Sequence, residues 1–380
     1  MSGVNHLRVL HLLDTTEDYA GTEIHLTTLV KTQICQGLRA EIAVMEGGLL
    51  HRAVQAESLP FSLLPQGSYL QQLKELAEMT CDKYDVVHAH NGRTRLLAAM
   101  AVKPPIAVVA TQHFISTQSE NYRGLKKRAA NHAHRQVNRR ISHFIAISQA
   151  ARDAMVERER VNPAKITIVA NGIEPLDKPD AAQRIELRRE LGVADGSPLI
   201  VCVARLRIEK GLHFLIDAMP AVLAAHPQTR LVIAGDGGLQ NALEAQAYKL
   251  GVRSSIDFLG YRKDATRLIG AADLFVLPSP AEPFGLVLIE AMAQGIAALA
   301  TRAGGPLEII EDGVSGRLVK SSDAFDLASA MVALLSNDKK REELGHNAFQ
   351  RFSERFTADR MAAATLEVYE RIARARSGDR

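Results

Sequence analysis

The chain has 380 residues, 47% of them hydrophobic and 23% charged, with a formal net charge of +3. That composition excludes disordered, collagen-like and disulfide-scaffold chains, and the length exceeds the roughly 250–300 residues at which one hydrophobic core stops growing, so two domains are expected. Residues 1–178 carry 21 Lys and Arg against 17 Asp and Glu, a balance too even for a nucleic-acid-binding surface, so no nucleic-acid partner is expected.

The first segment, MSGVNHLRVLHLL, holds His6, Arg8 and His11 where a signal peptide needs an unbroken apolar run, so secretion is not expected. Short β-branched runs then alternate with segments of helical period, the pattern that builds parallel sheets covered by helices. Strands are predicted at 7–13, 40–45, 85–88, 106–110, 143–147 and 165–169, and again at 199–204, 230–234, 255–259, 273–278, 296–300 and 316–319. The turn-rich stretch 171–180, NGIEPLDKPD, with two prolines, reads as the linker. The most apolar stretch, 283–301, is broken by Glu290, Gly285 and Gly295, so no membrane span is expected. Helical patterns run from Asp338, and a last one from Thr357 to Arg374 is long enough to brace two domains. Cys35, Cys81 and Cys202 are far apart and form no Cys-x-x-Cys pair, which fits a reducing compartment and argues against a thiolate metal site.

Ligands of open α/β sheets bind beyond the carboxyl ends of the strands, so chemistry is sought just after each strand. Gly21, in Ala20-Gly21-Thr22-Glu23, opens a helix whose N-terminal amides could hold an anion, or is an ordinary capped turn. His88-Ala-His90 places two imidazoles on one strand face, but no Cys or carboxylate partner is evident, so strand-end packing or an acceptor-side role is preferred to a metal site. From 122 to 152 the chain has Arg123, Lys126, Lys127, Arg128, Arg135, Arg139, Arg140 and Arg152 and no acid, which suits a solvated face, a phosphate-rich acceptor or an anionic membrane. Arg205 and Lys210 flank a loop that leads into a helix, a pair of fixed cations suited to a diphosphate. Gly235, in Ala234-Gly235-Asp236-Gly237, either approaches a ligand or makes a tight turn. The sharpest pattern runs from Glu282 through Pro283, Phe284, Gly285 and Leu286 to Glu290: a carboxylate, an anion-binding turn at a helix start, and a second carboxylate along the helix. Eight helical residues span about 12 Å, beyond the roughly 5–9.5 Å that separates paired glycosidase carboxylates, so these glutamates read as binders rather than a hydrolytic pair.

Taken in order, A-G-T-E (20–23), Ser148, N-G-I (171–173), R-L-x-x-E-K-G (205–211), G-D-G (235–237), F-L-G (258–260), E-P-F-G-L-x-L-x-E-A-M-A (282–293), G-G-P-x-E (304–308) and D-G-x-x-G (312–316) resemble glycosyltransferase family 4. The resemblance implies the GT-B fold: two doubly wound, Rossmann-like α/β domains facing across a cleft, an acceptor domain over 1–172 and a nucleotide-sugar domain over 173–356, with a bracing helix at 357–380 returning towards the first. It also implies a cytoplasmic, retaining, metal-independent enzyme that moves a sugar from a UDP- or GDP-sugar to a hydroxyl acceptor in lipopolysaccharide, exopolysaccharide or other glycolipid synthesis. No cofactor or metal is expected. By the same resemblance Arg205 and Lys210 hold the diphosphate, Glu290 the ribose and Glu282 the donor sugar. The amides of Phe284, Gly285 and Leu286 complete the pocket, Gly235 lines it, and Gly21 approaches the distal phosphate. His113 matches the family's cleft histidine and joins Arg205, Lys210 and Glu282 as the catalytic candidates. Two positions depart from the pattern: a usual glycine pair reads Ala20-Gly21, and Phe114 follows the histidine where aspartate is common. Arg123, Lys126, Lys127 and Arg128 are expected to meet a lipid-linked acceptor at an anionic membrane face. The alternatives are an epimerase of the same fold, revealed by product formation from donor alone, and a non-catalytic sugar-nucleotide-binding subunit, dismissed by turnover.

Overall fold

A computed structural model describes residues 7–14, 21–115, 132 and 134–377. The chain divides into two compact units, one built from 1–174 and 358–380 and the other from 175–357; the division falls two residues beyond the sequence boundary at 172, within the turn-rich stretch 171–180.

The first unit carries a parallel sheet in the order β3-β2-β1-β4-β5-β6-β7. Its strands are β1 (Arg8–Leu12), β2 (Arg39–Met45), β3 (Phe61–Leu64), β4 (Val86–Ala89), β5 (Ala107–Gln112), β6 (His143–Ala146) and β7 (Ile166–Ile168). Sequence reading missed β3, an edge strand of four residues, FSLL, too short to show the alternation of a longer strand. Both faces of the sheet are covered, as a parallel sheet requires. On one, Val9, Val86, Val109 and Ile145 pack with Met361, Val368 and Tyr369 of the terminal helix Ala358–Ser377. On the same face Leu26 and Val30 of the helix Gly21–Cys35 pack with Ile42 and Val44, and on the other Leu10, Leu12, Val87 and Val108 are buried.

The second unit has the order β10-β9-β8-β11-β12-β13, also all parallel. These are β8 (Leu199–Val203), β9 (Arg230–Ala234), β10 (Ile256–Phe258), β11 (Leu274–Leu277), β12 (Ala298–Thr301) and β13 (Arg317–Val319). The order turns at β8, whose neighbours β9 and β11 lie on opposite sides of it, so the loops after β8 and β11 emerge side by side at the carboxyl edge. That is the switch-point geometry at which open α/β sheets bind ligands. Among the described residues no helix is long and apolar enough to cross a membrane.

Candidate active site

In the second unit the loop after β8 is held by missing side chains. Gly211 sits at φ +66°, where a Cβ would stand 2.2 Å from the Pro278 carbonyl oxygen, so only glycine lets this loop lie against the end of β11. Gly235 would place a Cβ 2.0 Å from the Ala204 carbonyl oxygen. It lets the end of β9 touch the residue before Arg205, a packing reason for glycine that the sequence did not show. The Arg205 guanidinium is exposed and makes no hydrogen bond or ion pair among the described residues. Lys210 reaches the loop after β11, its Nζ 2.7 Å from Glu282 Oε2, with both side chains largely buried.

Glu282 is fixed from behind by residues the sequence reading had assigned no role. The amide of Gly305 donates to the Glu282 carbonyl at 2.8 Å. A Cβ on Gly304 would meet that same carbonyl at 2.1 Å, and one on Gly305 would meet the Phe284 carbonyl at 2.1 Å. The Gly-Gly-Pro run at 304–306 is therefore the backing of the Glu282–Phe284 turn, and its paired glycines were the available signal. Thr301 Oγ1 adds a hydrogen bond to the Ser279 carbonyl. Phe284 is buried and meets Phe356 edge-on with ring centres 6.3 Å apart, which leaves its backbone rather than its ring for ligand contact.

Gly285, at φ +107°, caps the helix Leu286–Gln294; the Leu288 amide donates to the Gly285 carbonyl at 2.9 Å, while the amides of Leu286 and Val287 meet no carbonyl among the described residues and form a positive end. Glu290 lies one turn further on. Its side chain is partly accessible, makes no hydrogen bond or ion pair among the described residues, and burial among its neighbours pushes its carboxyl up to about 7. A carboxylate held ready but unpartnered in a recess is suited to accept hydroxyl hydrogen bonds. Four expected residues, Arg205, Lys210, Glu282 and Glu290, thus belong to the carboxyl side of one sheet, and the closest pairing, Lys210 with Glu282, joins a cation expected at the diphosphate to a carboxylate expected at the sugar.

In the first unit, His113 follows β5 directly, is buried, and stands with Nε2 3.4 Å from His90 Nδ1. Burial holds His88, His90 and His113 well below the ordinary histidine range, and pushes His11 and His25 down to about 3 and about 4. Charge in any one ring would also repel its neighbours, so all five are neutral at pH 7. No Cys or carboxylate joins His88 and His90 in a ligand-spaced group among the described residues, but three histidines do: His11 of β1, His25 of the first helix and His113, from elements the sequence keeps far apart. Phe114 is about half exposed. Gly21 begins the helix Gly21–Cys35 and is exposed; the loop 15–20 before it lies outside the described residues, as do Arg123, Lys126, Lys127 and Arg128. Arg135, Arg139 and Arg140 of the same basic run are exposed along the helical stretch 134–140.

A sequence profile described as glycosyl transferases group 1 matches residues 183–351, and one described as Glycosyltransferase Family 4 matches 19–175. The uncharacterized glycosyltransferase MJ1607 of Methanocaldococcus jannaschii is 33% identical over 305 residues, 78% of this chain and 78% of its own. The chain belongs to glycosyltransferase family 4. The crystal structure of Anabaena Alr3699/HepE in complex with UDP and glucose matches this glycosyltransferase with a TM-score of 0.84 at 27% identity, covering 96% of this chain and 100% of that one. The lipopolysaccharide core biosynthesis glycosyltransferase LpsE of Rhizobium meliloti is 30% identical over 181 residues, 48% of this chain and 52% of its own. The two doubly wound sheets of this glycosyltransferase are those of the GT-B fold.

Proposed function

We propose that this glycosyltransferase moves a hexose from a UDP- or GDP-sugar to a hydroxyl of a phosphate-bearing, lipid-linked glycan, with retention of configuration and without a metal at the donor. The observation that carries the reading is the grouping after β8 and β11: Arg205 and Glu290, each without a partner among the described residues, the Lys210–Glu282 ion pair, and the helix end at Gly285. Arg205, Lys210 and the first-turn amides of the helix balance the diphosphate, and do so more strongly as charge builds on it in the transition state. Glu290 accepts the ribose hydroxyls, and Glu282 accepts hydroxyls of the sugar while keeping Lys210 aimed at the sugar–phosphate joint. In the transfer the acceptor oxygen bonds to the anomeric carbon as the bond to the diphosphate breaks, and the acceptor proton passes to the departing phosphate oxygen. His113 is assigned to the acceptor side as a neutral hydrogen-bonding group.

The presence of UDP and glucose in the Anabaena relative supports a UDP-sugar, and the lipopolysaccharide-core role of LpsE supports a lipopolysaccharide-type acceptor. The acid-free basic run supports a cytoplasmic enzyme that meets its acceptor peripherally at an anionic membrane face. The test is product analysis with UDP- and GDP-sugars, with and without a phosphorylated core glycolipid and with excess chelator throughout. Transfer that needs the acceptor and survives chelation supports the reading. Product from donor alone, or abolition by chelator with restoration by manganese or magnesium, overturns it.

A further inference from the structure

Five buried histidines lie together in the first unit. Hydrogen bonding accounts for some of them. His88 uses both ring nitrogens, on the Tyr369 hydroxyl at 2.6 Å and Thr111 Oγ1 at 2.7 Å. His11 Nε2 lies 3.0 Å from Gln33 Oε1, and His11 Nδ1 lies 3.0 Å from His90 Nε2. With Gln33 Oε1 as the acceptor, Nε2 of His11 carries the proton and its Nδ1 accepts from Nε2–H of His90, the tautomer that leaves a lone pair on His90 Nδ1. His25 is not accounted for. It is buried, and among the described residues neither of its ring nitrogens meets a partner in hydrogen-bonding geometry, although Asn171, whose Oδ1 is unsatisfied as well, lies near enough to favour its protonated form. Buried polar atoms are seldom left so, and each needs a reason.

We propose that His25, His90 and His113 form a three-histidine site for a first-row transition-metal dication of the zinc class. One ligand nitrogen from each of these residues lies within 4.8 Å of the others. His113 Nε2 and His90 Nδ1 are 3.4 Å apart, long for a hydrogen bond but close to the edge of about 3.4 Å that two nitrogens make on a tetrahedral zinc with bonds of about 2.05 Å. Three imidazoles around such an ion put their ring centres about 5 Å apart. The observed separations are 4.7 Å for His25–His113 and 5.7 Å for both His25–His90 and His90–His113.

The surroundings match as well. His11, anchored by Gln33, holds the far nitrogen of His90 and thereby sets the tautomer that faces the ion, the usual task of a ligand's outer partner. An all-imidazole set suits Zn2+, Co2+, Ni2+ or Cu2+ and does not suit Mg2+ or Ca2+, which require oxygen ligands. Three histidines leave one position for water. The companion trio of His11, His88 and His90 is equally close, but both nitrogens of His88 are already engaged. This site lies within the first unit and does not rest on the reading of the donor site.

The test uses the full-length protein, freed of metal by chelator dialysis and titrated with Co2+ while visible absorption is recorded, and separately loaded with Zn2+, gel-filtered and analysed for metal. The wild type is expected to develop the visible bands of tetrahedral cobalt, to retain about one zinc per chain, and to melt at a higher temperature when loaded. His25→Ala and His25→Gln, made as a pair in case one folds poorly, are each expected to weaken binding by at least about tenfold. His346→Gln, at an exposed histidine of the other unit, is expected to bind as the wild type does. Circular dichroism verifies that each variant is folded. No cobalt bands and no retained zinc in the wild type, or equal affinity in a folded His25 variant, overturns the proposal and leaves the cluster as a hydrogen-bonded row of histidines.

Discussion

Glu290→Gln is expected to make the protein more stable and worse at binding its donor, with the stability gain appearing only at high pH. Burial lifts the Glu290 carboxyl from its ordinary 4.5 to about 7, so holding it ionised costs the folded chain about 3 kcal/mol at about 1.4 kcal/mol per pH unit. The side chain is partly accessible, and solvent screening reduces this to about 2 kcal/mol. The sign follows from linkage: below pH 4.5 the group is protonated in both states and costs nothing, the cost grows between pH 4.5 and 7, and it is complete above 7. The neutral glutamine carries no such cost, so the variant should match the wild type at pH 4.5 and exceed it by about 2 kcal/mol at pH 8. The chain has no tryptophan, so urea unfolding is followed by circular dichroism, and with two units the transition of 175–357 is compared rather than one global value. Donor affinity should move the other way, weakening by about 1–3 kcal/mol, because ribose hydroxyls lose their charged acceptor. A stability difference that is the same at pH 5 and pH 8, or a variant less stable at pH 8, refutes the buried-carboxylate argument. Unchanged donor affinity refutes the ribose assignment.

Arg205→Ala and Lys210→Ala should each lower kcat as well as donor affinity, by about tenfold to a hundredfold in steady-state kinetics, since their charge acts most in the transition state; two variants with wild-type kcat would place the diphosphate elsewhere. Gly305→Ala should displace the Phe284 backbone that a Cβ meets at 2.1 Å, lowering Tm and abolishing nucleotide-induced thermal shifts, whereas Gly238→Ala, with nothing within 4 Å of its Cβ, should leave both unchanged. The wild type should co-sediment with anionic vesicles at low salt and a Lys126→Glu/Lys127→Glu/Arg128→Glu variant should not, because each cation near anionic lipid contributes about 1 kcal/mol and salt screens it. Equal binding of both proteins to neutral and anionic vesicles counts against the docking surface.

The sequence by itself determined the two parallel sheets, apart from the short edge strand β3, and the loops that carry the candidate residues. Runs such as Leu199–Val203 and Arg230–Ala234 announce buried parallel strands through β-branched content, and the residues after them are polar, glycine-marked and few. Only the tertiary structure decided which of those loops meet. Periodicity encodes whether a segment is strand or helix; it does not encode strand order, and order sets neighbours. Because β11 lies beside β8, Lys210 meets Glu282 across 72 positions of chain. Because β4 lies between β1 and β5, with His11 in register with His88, the histidines of three strands and one helix converge. Read along the chain, His11, His25 and His113 give no sign of this, since a core histidine and a ligand histidine occupy the same kind of buried position. The glycines at 211, 235, 304 and 305 were visible as motif letters, but their reason, the absence of room for a Cβ beside a neighbouring carbonyl, exists only once the strands have been laid side by side.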